Sequence, residues 1–272
     1  MKKVSLLFAV FSILYIGSCG SDDTTVNQAT TNLDMVITAS FGGEVLQMQK
    51  EYTLCDGKAI RFSEVNLFVS DMVLLKESDP QTAVTELKEI DFLDFTFTDS
   101  IAAAVGSTIS IQQVPVGTYS GLRLGLGVIA DLNRTNPADY GSTSPLSKSS
   151  HYWAMTDSYI FAKVTGFADL NGDGVITQGG ADTEGFTYHI GSDPTYGSAS
   201  IIKQINLEEG VNGQMNLNLD FSSVFETSKA TYDGDPADDC LDIATYKAAH
   251  TDDLELATDM MANLANSITL EF

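Results

Sequence analysis

The chain has 272 residues, 37 acidic against 14 basic, with a formal charge of −23 and a pI near 4.1. No basic surface is available to displace phosphate counterions or to grip an anionic lipid face, so nucleic-acid binding and polybasic membrane modules are excluded. At 43% hydrophobic the chain is apolar enough to bury a core, and imidazole chemistry is confined to His151, His189 and His250, the only three histidines.

The first stretch is an export address. Lys2 and Lys3 precede an apolar run over residues 4–16, too short to cross a hydrocarbon core of about 30 Å as a helix, and this is the pattern of a secretory signal. The run ends in Ile16-Gly17-Ser18-Cys19, which resembles a bacterial lipobox. Residues 1–18 are therefore read as a lipoprotein signal peptide and Cys19 as the lipidated N-terminus. Gly20-Ser21-Asp22-Asp23 resembles the acidic surface-export signal of some lipoproteins, and residues 19–33 carry almost nothing to bury, as expected of a flexible tether. The expected location is the outer membrane, on its periplasmic or cell-surface face, with the lipid as the sole membrane contact. In that oxidising compartment Cys55 and Cys240 are the remaining thiols, and a disulfide between them is the default expectation, with soft metal ligation as the alternative.

Residues 34–272 read as one all-β domain. Strands are predicted over 35–40, 45–52, 90–97, 108–114, 159–166, 186–190 and 201–208. Alternating Val65, Leu67, Val69, then Leu122, Leu124, Leu126, Val128, then Met215, Leu217, Leu219, Phe221 predict three more. Strands with one apolar face each predict an antiparallel β-sandwich or flattened barrel. The absence of alternating long helices argues against a nucleotide-binding α/β sheet. A short C-terminal helix is predicted from the apolar face Leu254, Ala257, Met261, Leu264, Ala265 and Ile268, with Asp252 and Glu255 spaced as a capping box.

An insertion at 169–184 opens Asp169-Leu170-Asn171-Gly172-Asp173-Gly174-Val175-Ile176-Thr177. Oxygen-bearing side chains at positions 1, 3 and 5, a Gly at 6 and an aliphatic at 8 match the front of a calcium loop, with Val175 and Thr177 continuing the ligand run. Position 12 is Gly180, not the usual Glu, and Asp182 or Glu184 stands further along. The expected role of such an ion is to stiffen a long loop between two strands; a solvated Asp-Asn-Gly turn is the alternative.

The motifs Pro145-Leu146, Tyr152-Trp153, Tyr159-Ile160-Phe161-x-Lys163-x-x-Gly166 and Phe186-x-Tyr188-His189-x-Gly191 occur in this order. With Val114-Pro115-Val116-Gly117-Thr118-Tyr119 and a His250 that precedes an apolar helix, the chain resembles the MbnP-like family of exported copper-binding proteins, associated in some members with methanobactin. The resemblance covers about residues 33–272. It implies copper held by His side chains together with a Trp oxidised to kynurenine, which places Trp153, His189 and His250 as copper candidates. It also implies a di-haem cytochrome c peroxidase-like partner that oxidises the Trp. His151 departs from the pattern, since relatives often carry Met there. It remains a copper candidate because in a strand it would point the same way as Trp153. Met155, Met260 and Met261 are read as core packing.

The chemistry agrees with that implication. Imidazole suits copper, with zinc as the usual competitor. An intact indole N–H only donates, so the ring must open before Trp153 offers a ligand nitrogen. The expected function is a lipid-anchored copper-binding protein that acquires, stores or hands on the ion without turnover. The alternative is a calcium-stiffened surface sandwich binding glycan or protein. No enzyme is expected, because no nucleophile elbow, zinc-protease helix or Cys-His pair occurs in the sequence.

Overall fold

The computed structural model describes residues 28–176, 183–227, 229, 231, 232, 234, 239–250 and 253–272. The signal peptide, Cys19 and most of the tether lie outside the described residues, as do Thr177, Asp182 and Asp252. The strands are β1 (Thr30–Phe41), β2 (Glu44–Val45), β3 (Glu51–Thr53), β4 (Ala59–Lys76), β5 (Asp79–Asp94), β6 (Ser107–Pro115) and β7 (Gly117–Leu126). They continue as β8 (Tyr152–Trp153), β9 (Ser158–Asp169), β10 (Thr183–Gly191), β11 (Gly197–Leu207), β12 (Gly213–Asp220), β13 (Ala248–Ala249) and β14 (Thr269–Glu271). Three helices, α1 (Ser100–Val105), α2 (Ala130–Asn133) and α3 (Leu254–Asn266), sit between them.

Two sheets form an all-β sandwich without a closed barrel. The smaller runs β14-β12-β1-β2, with β6 also on β1; the larger runs β11-β7-β4-β9-β10-β13, with β3 and β5 on β4 and β8 on β9. The pairing is mixed, because β1–β12 and β10–β13 are parallel against an otherwise antiparallel background. Alternation drives the assembly: Leu33, Met35, Ile37 and Ala39 of β1 and Met215, Leu217 and Leu219 of β12 are all buried, and they point at the larger sheet. Aromatic rings fill the space between, with Phe62 5.8 Å from Phe186 and 6.0 Å from Phe225, edge to face.

Three boundaries differ from expectation. Leu33 is fully buried and β1 begins at Thr30, so the last four residues assigned to the tether belong to the sheet. The strand predicted over 45–52 is two short pieces separated by Gln49 at φ 65°. The N-cap of α3 is Asp253, whose carboxylate accepts from the Leu256 amide; this moves the cap one residue beyond Asp252. The apolar face of α3 is shifted from the expected one: Ala257, Met261, Leu264 and Ala265 are buried as predicted, joined by Leu256 and Met260, whereas Leu254 is exposed and Ile268 is buried beyond the end of the helix. Cys55 and Cys240 form the expected disulfide, joining residues 185 apart. It ties the β3–β4 turn to the segment that leads into β13.

No helix among the described residues is long and apolar enough to cross a membrane.

Candidate metal centre

The motif Tyr188-His189-x-Gly191 builds one side of the site, and each residue has a separate task. Tyr188 is inward and fully buried, and its hydroxyl donates to the Tyr246 carbonyl at 2.8 Å. The Thr187 amide donates to the Lys247 carbonyl at 2.7 Å. These bonds dock β13 in parallel beside β10, with Tyr188 opposite Ala249. The next residue on each strand is a histidine. His189 and His250 are therefore brought side by side, ring centroids 5.6 Å apart and planes at 85°. The His250 carbonyl also accepts from the amide of Asp253, the cap of α3, so the helix start fixes where His250 leaves the strand.

Gly191 shares the outward face of β10 with His189. A Cβ there would lie 2.7 Å from Trp153 Cζ3 and 2.4 Å from the Tyr159 carbonyl oxygen. Glycine thus lets the indole rest directly on the strand beside His189. Trp153 sits on a hairpin in which Tyr152 pairs with Tyr159 and Trp153 with Ser158. Buried Asn133 clamps the hairpin base: its Oδ1 accepts from the Tyr159 amide at 2.7 Å and the Ser158 hydroxyl at 3.2 Å. Tyr152, Trp153, Ala154, Met155, Thr156 and His250 line an open, mainly apolar depression of about 450 Å³. Tyr152 and Tyr159 pack edge to face at 5.2 Å, in keeping with a packing role.

Lateral register adds a polar row that sequence reading missed. Asn66 of β4, Lys163 of β9 and His189 of β10 are consecutive cross-strand partners. The Lys163 ammonium lies 3.8 Å from the Glu64 carboxylate, and the Asn66 amide donates to the same carboxylate at 2.9 Å. Burial pushes the His189 imidazole down to about 4, with the charges of Lys163 and His250 acting in the same direction and Glu64 opposing. At neutral pH this ring is uncharged, the form that ligates metal. Only register places Lys163 here, and no spacing rule in the sequence reveals it.

His151 does not join this pair. Residues 149–151 form a 3-10 turn, so strand alternation with Trp153 does not apply. The ring is buried between Phe68 and Phe92, and both nitrogens are engaged: Asn66 Oδ1 accepts from Nε2 at 2.6 Å and the Ser150 hydroxyl lies 3.1 Å from Nδ1. Burial first, then the cations Lys163 and Lys148, push its imidazole down to about 3. The unfolded chain takes up a proton near pH 6.5 and the folded chain does not until about pH 3, so this group's stability contribution is complete above the former value and lost as pH falls toward the latter. Denaturant titrations at neutral pH and at about pH 4.5 should show His151→Leu losing less stability on acidification than the parent. An equal loss in both proteins would refute the structural role.

The calcium-loop candidate lies where expected, between β9 and β10. Asp169 is fully buried, with Oδ1 accepting from the Gly172 amide at 3.1 Å and Oδ2 from the Gly174 amide at 2.7 Å. Asn171 accepts from the Asp173 amide and Asp173 from the Val175 amide, so the oxygens of positions 1, 3 and 5 belong to one tight turn. Each Asp169 oxygen keeps a lone pair beyond its amide bond, so the donor set fits a hard cation. Among the described residues no group of three or more His, Cys, Asp and Glu side chains converges on a point; the remaining loop candidates, Thr177 and Asp182, fall outside them.

The MbnP family model matches residues 30–242. The chain belongs to the MbnP family. Its fold is similar to that of MbnP from Methylosinus trichosporium, with a TM-score of 0.50 over 78% of this chain and 83% of that one. At 14% identity this likeness speaks to the fold alone. No curated protein matches the chain. The family match includes Trp153 and His189 but ends before His250. His250 is placed at the site by the docking of β13, independently of that match.

Proposed function

We propose that this member of the MbnP family is an exported, lipid-anchored protein that binds copper in the cell envelope through His189 and His250. Trp153 would serve as a further ligand once oxidised to kynurenine. The observation that carries the reading is the crossed His189–His250 pair beside an indole that glycine admits to the same strand. The two imidazoles offer nitrogen donors of the kind copper prefers. A ring-opened Trp153 would bring an aniline nitrogen and a carbonyl to the same depression. The task is coordination: the protein acquires, stores or hands on copper and performs no turnover.

The di-haem cytochrome c peroxidase-like partner belongs to this proposal. Trp153 is half-buried and opens onto the depression, which gives an oxidising partner access. The excess of 37 acidic over 14 basic residues favours a cationic docking patch on that partner by steering. A second reading concerns calcium: the Asp169 turn is proposed to hold one ion that stiffens the β9–β10 loop, an inference supported by its preformed oxygens.

One preparation tests both readings. Protein purified from its native host is expected to carry stoichiometric copper, kynurenine at Trp153 in peptide mass spectrometry, and calcium that is lost in the Asp169→Ala, Asp173→Ala double variant. Protein with intact Trp153 that stays copper-free after exposure to both copper oxidation states would overturn the copper reading and leave the glycan- or protein-binding sandwich. Calcium content unchanged by the double variant would dispose of the loop.

A further inference from the structure

The two halves of the metal centre stand on different parts of the chain, and one of them is weakly built. His189 sits in β10, within the larger sheet, whereas Trp153 sits on a hairpin whose ladder is Tyr152 with Tyr159 and Trp153 with Ser158 and no more. A ladder that short does not hold its own shape in water. The turn beyond it adds little. Met155, expected to pack in the core, is 99% exposed, and Asp157 takes φ 48°, a conformation that costs a non-glycine residue free energy. The place of the indole over Gly191 therefore depends on what holds the hairpin from outside.

Asn133, the buried last residue of α2, does so. Its Oδ1 accepts from the Tyr159 amide and from the hydroxyl of Ser158, the residue paired with Trp153. Both bonds need the oxygen of the Asn133 amide to face the hairpin, because its NH2 only donates. The other side of the amide makes that choice: Nδ2 donates to Asp193 Oδ1 at 2.8 Å. A carboxylate only accepts, so a flipped amide would lose all three bonds, and the negative charge strengthens the one made to Asp193. Asp193 lies two residues beyond Gly191 and four beyond His189. Ser192 between them stands at φ 82°, and the Thr195 amide and hydroxyl hold this corner by donating to the Ser192 carbonyl at 3.0 and 2.9 Å. The Arg134 guanidinium lies 3.6 Å from the second Asp193 oxygen. The end of β10 thus grips the base of the hairpin through one buried amide.

We propose that Asn133 and Asp193 are positioning residues of the centre: Asp193 orients the Asn133 amide, and the amide locks the Trp153 hairpin to the end of β10. Neither side chain lines the depression, and both act through the hairpin. They keep the indole beside His189 in the metal-free protein, at the place where its oxidised form would ligate. The geometry rests on the hydrogen bonds alone; its consequence for oxidation and metal binding rests on the copper reading.

The test uses the mature chain made without an oxidising partner, so that Trp153, the only tryptophan, reports on the hairpin by its fluorescence. The Asp193 side chain is 42% exposed, so Asp193→Ala leaves the core intact and tests the clamp even where Asn133→Ala unfolds the chain. Asn133→Asp sets a second carboxylate against Asp193. Each folded single variant should shift Trp153 emission to the red, raise its quenching by acrylamide and speed exchange of the Tyr159 amide. Combining Asn133→Asp with Asp193→Asn should restore the parent values, because the amide then donates from position 193 to a carboxylate that still accepts from the hairpin. Made in the native host, the single variants should carry less kynurenine at position 153 and bind copper roughly 10-fold more weakly, with the double variant recovered. A folded Asp193→Ala with the emission and quenching of the parent overturns the proposal, even if its Tm falls. So does a double variant no better than Asn133→Asp, or full kynurenine conversion in Asp193→Ala. A native parent with intact Trp153 and no copper removes the copper reading and the consequence drawn from it, while the emission of the metal-free variants still decides the clamp.

Discussion

Replacing His189 and His250 together by alanine is expected to abolish high-affinity copper binding at almost no cost in stability. Partners one shell removed from a metal typically carry 10–100-fold in affinity, so each single replacement should cost at least roughly 100-fold and the pair should leave no tight site. The small stability cost follows from position. Both rings are only partly buried on the outer face of the larger sheet, and what docks β13 is the Tyr188 hydroxyl and the Thr187 amide, which the substitutions leave in place. A shift in Tm of no more than a few degrees is expected, about the effect of 1 kcal/mol in a domain of this size. His151→Ala should behave in the opposite way. It empties the space between Phe68 and Phe92 and leaves the Oδ1 of buried Asn66 without the donor His151 supplies, so it costs stability and spares copper affinity. Copper titrations and thermal melts on the three variants decide the assignment. Stoichiometric copper in the double variant would refute the pair as the site, and copper loss at unchanged Tm in His151→Ala would add His151 to it.

Legibility in the sequence followed the physics of each element. Strands with one wet face announce themselves: the alternating burial of β1 and β12 is the alternation of Leu33, Met35, Ile37 and of Met215, Leu217, Leu219. Strands outside that regime do not. Residues 67–70 of β4 are covered on both faces, so the apolar pattern runs together and hides the length of the strand. The first half of β5 is almost wholly exposed and polar and is held by backbone pairing with β4, which leaves no mark on hydropathy; the strand predicted from residue 90 in fact begins at Asp79. β13 is two residues long and exists because a buried tyrosine hydroxyl reaches for its neighbour's carbonyl. The site shared this fate. His189 and Trp153 lie on short motifs that resemblance picked out, but their convergence with His250 depends on β13, and the Lys163–Glu64 pair beside them depends on register. Met155 was misread because hydrophobicity predicts burial, and a solvent-facing turn overrode it.

Loss of the Cys55–Cys240 disulfide should produce the largest stability change in the molecule and a smaller effect at the metal centre. The bridge closes a loop with a sequence separation of 185, and the chain-entropy account assigns a loop of that size about 5 kcal/mol. Domains are stable by only about 5–15 kcal/mol in total, so the bridge is a large share of the margin. At roughly 2–4 °C per kcal/mol, the Cys55→Ser, Cys240→Ser variant should melt about 10–20 °C below the parent. The functional consequence runs through the segment that follows Cys240. Leu241 and Ile243 are buried, the Leu241 amide donates to the Phe225 carbonyl at 2.8 Å, and ten residues after the bridge the chain delivers His250. Without the bridge those contacts still dock the segment, but its far end is no longer covalently fixed to the β3–β4 turn, so local opening becomes easier. Copper affinity should fall by less than in His250→Ala, and saturating copper should restore part of the lost Tm, because a ligand that binds only the folded form stabilises it. Melts of the oxidised, reduced and Cys-free proteins with and without copper separate these effects. A confirmed reduced protein that melts with the parent would show that the bridge constrains nothing, and a copper-induced rise equal in all three would show that His250 is held without it.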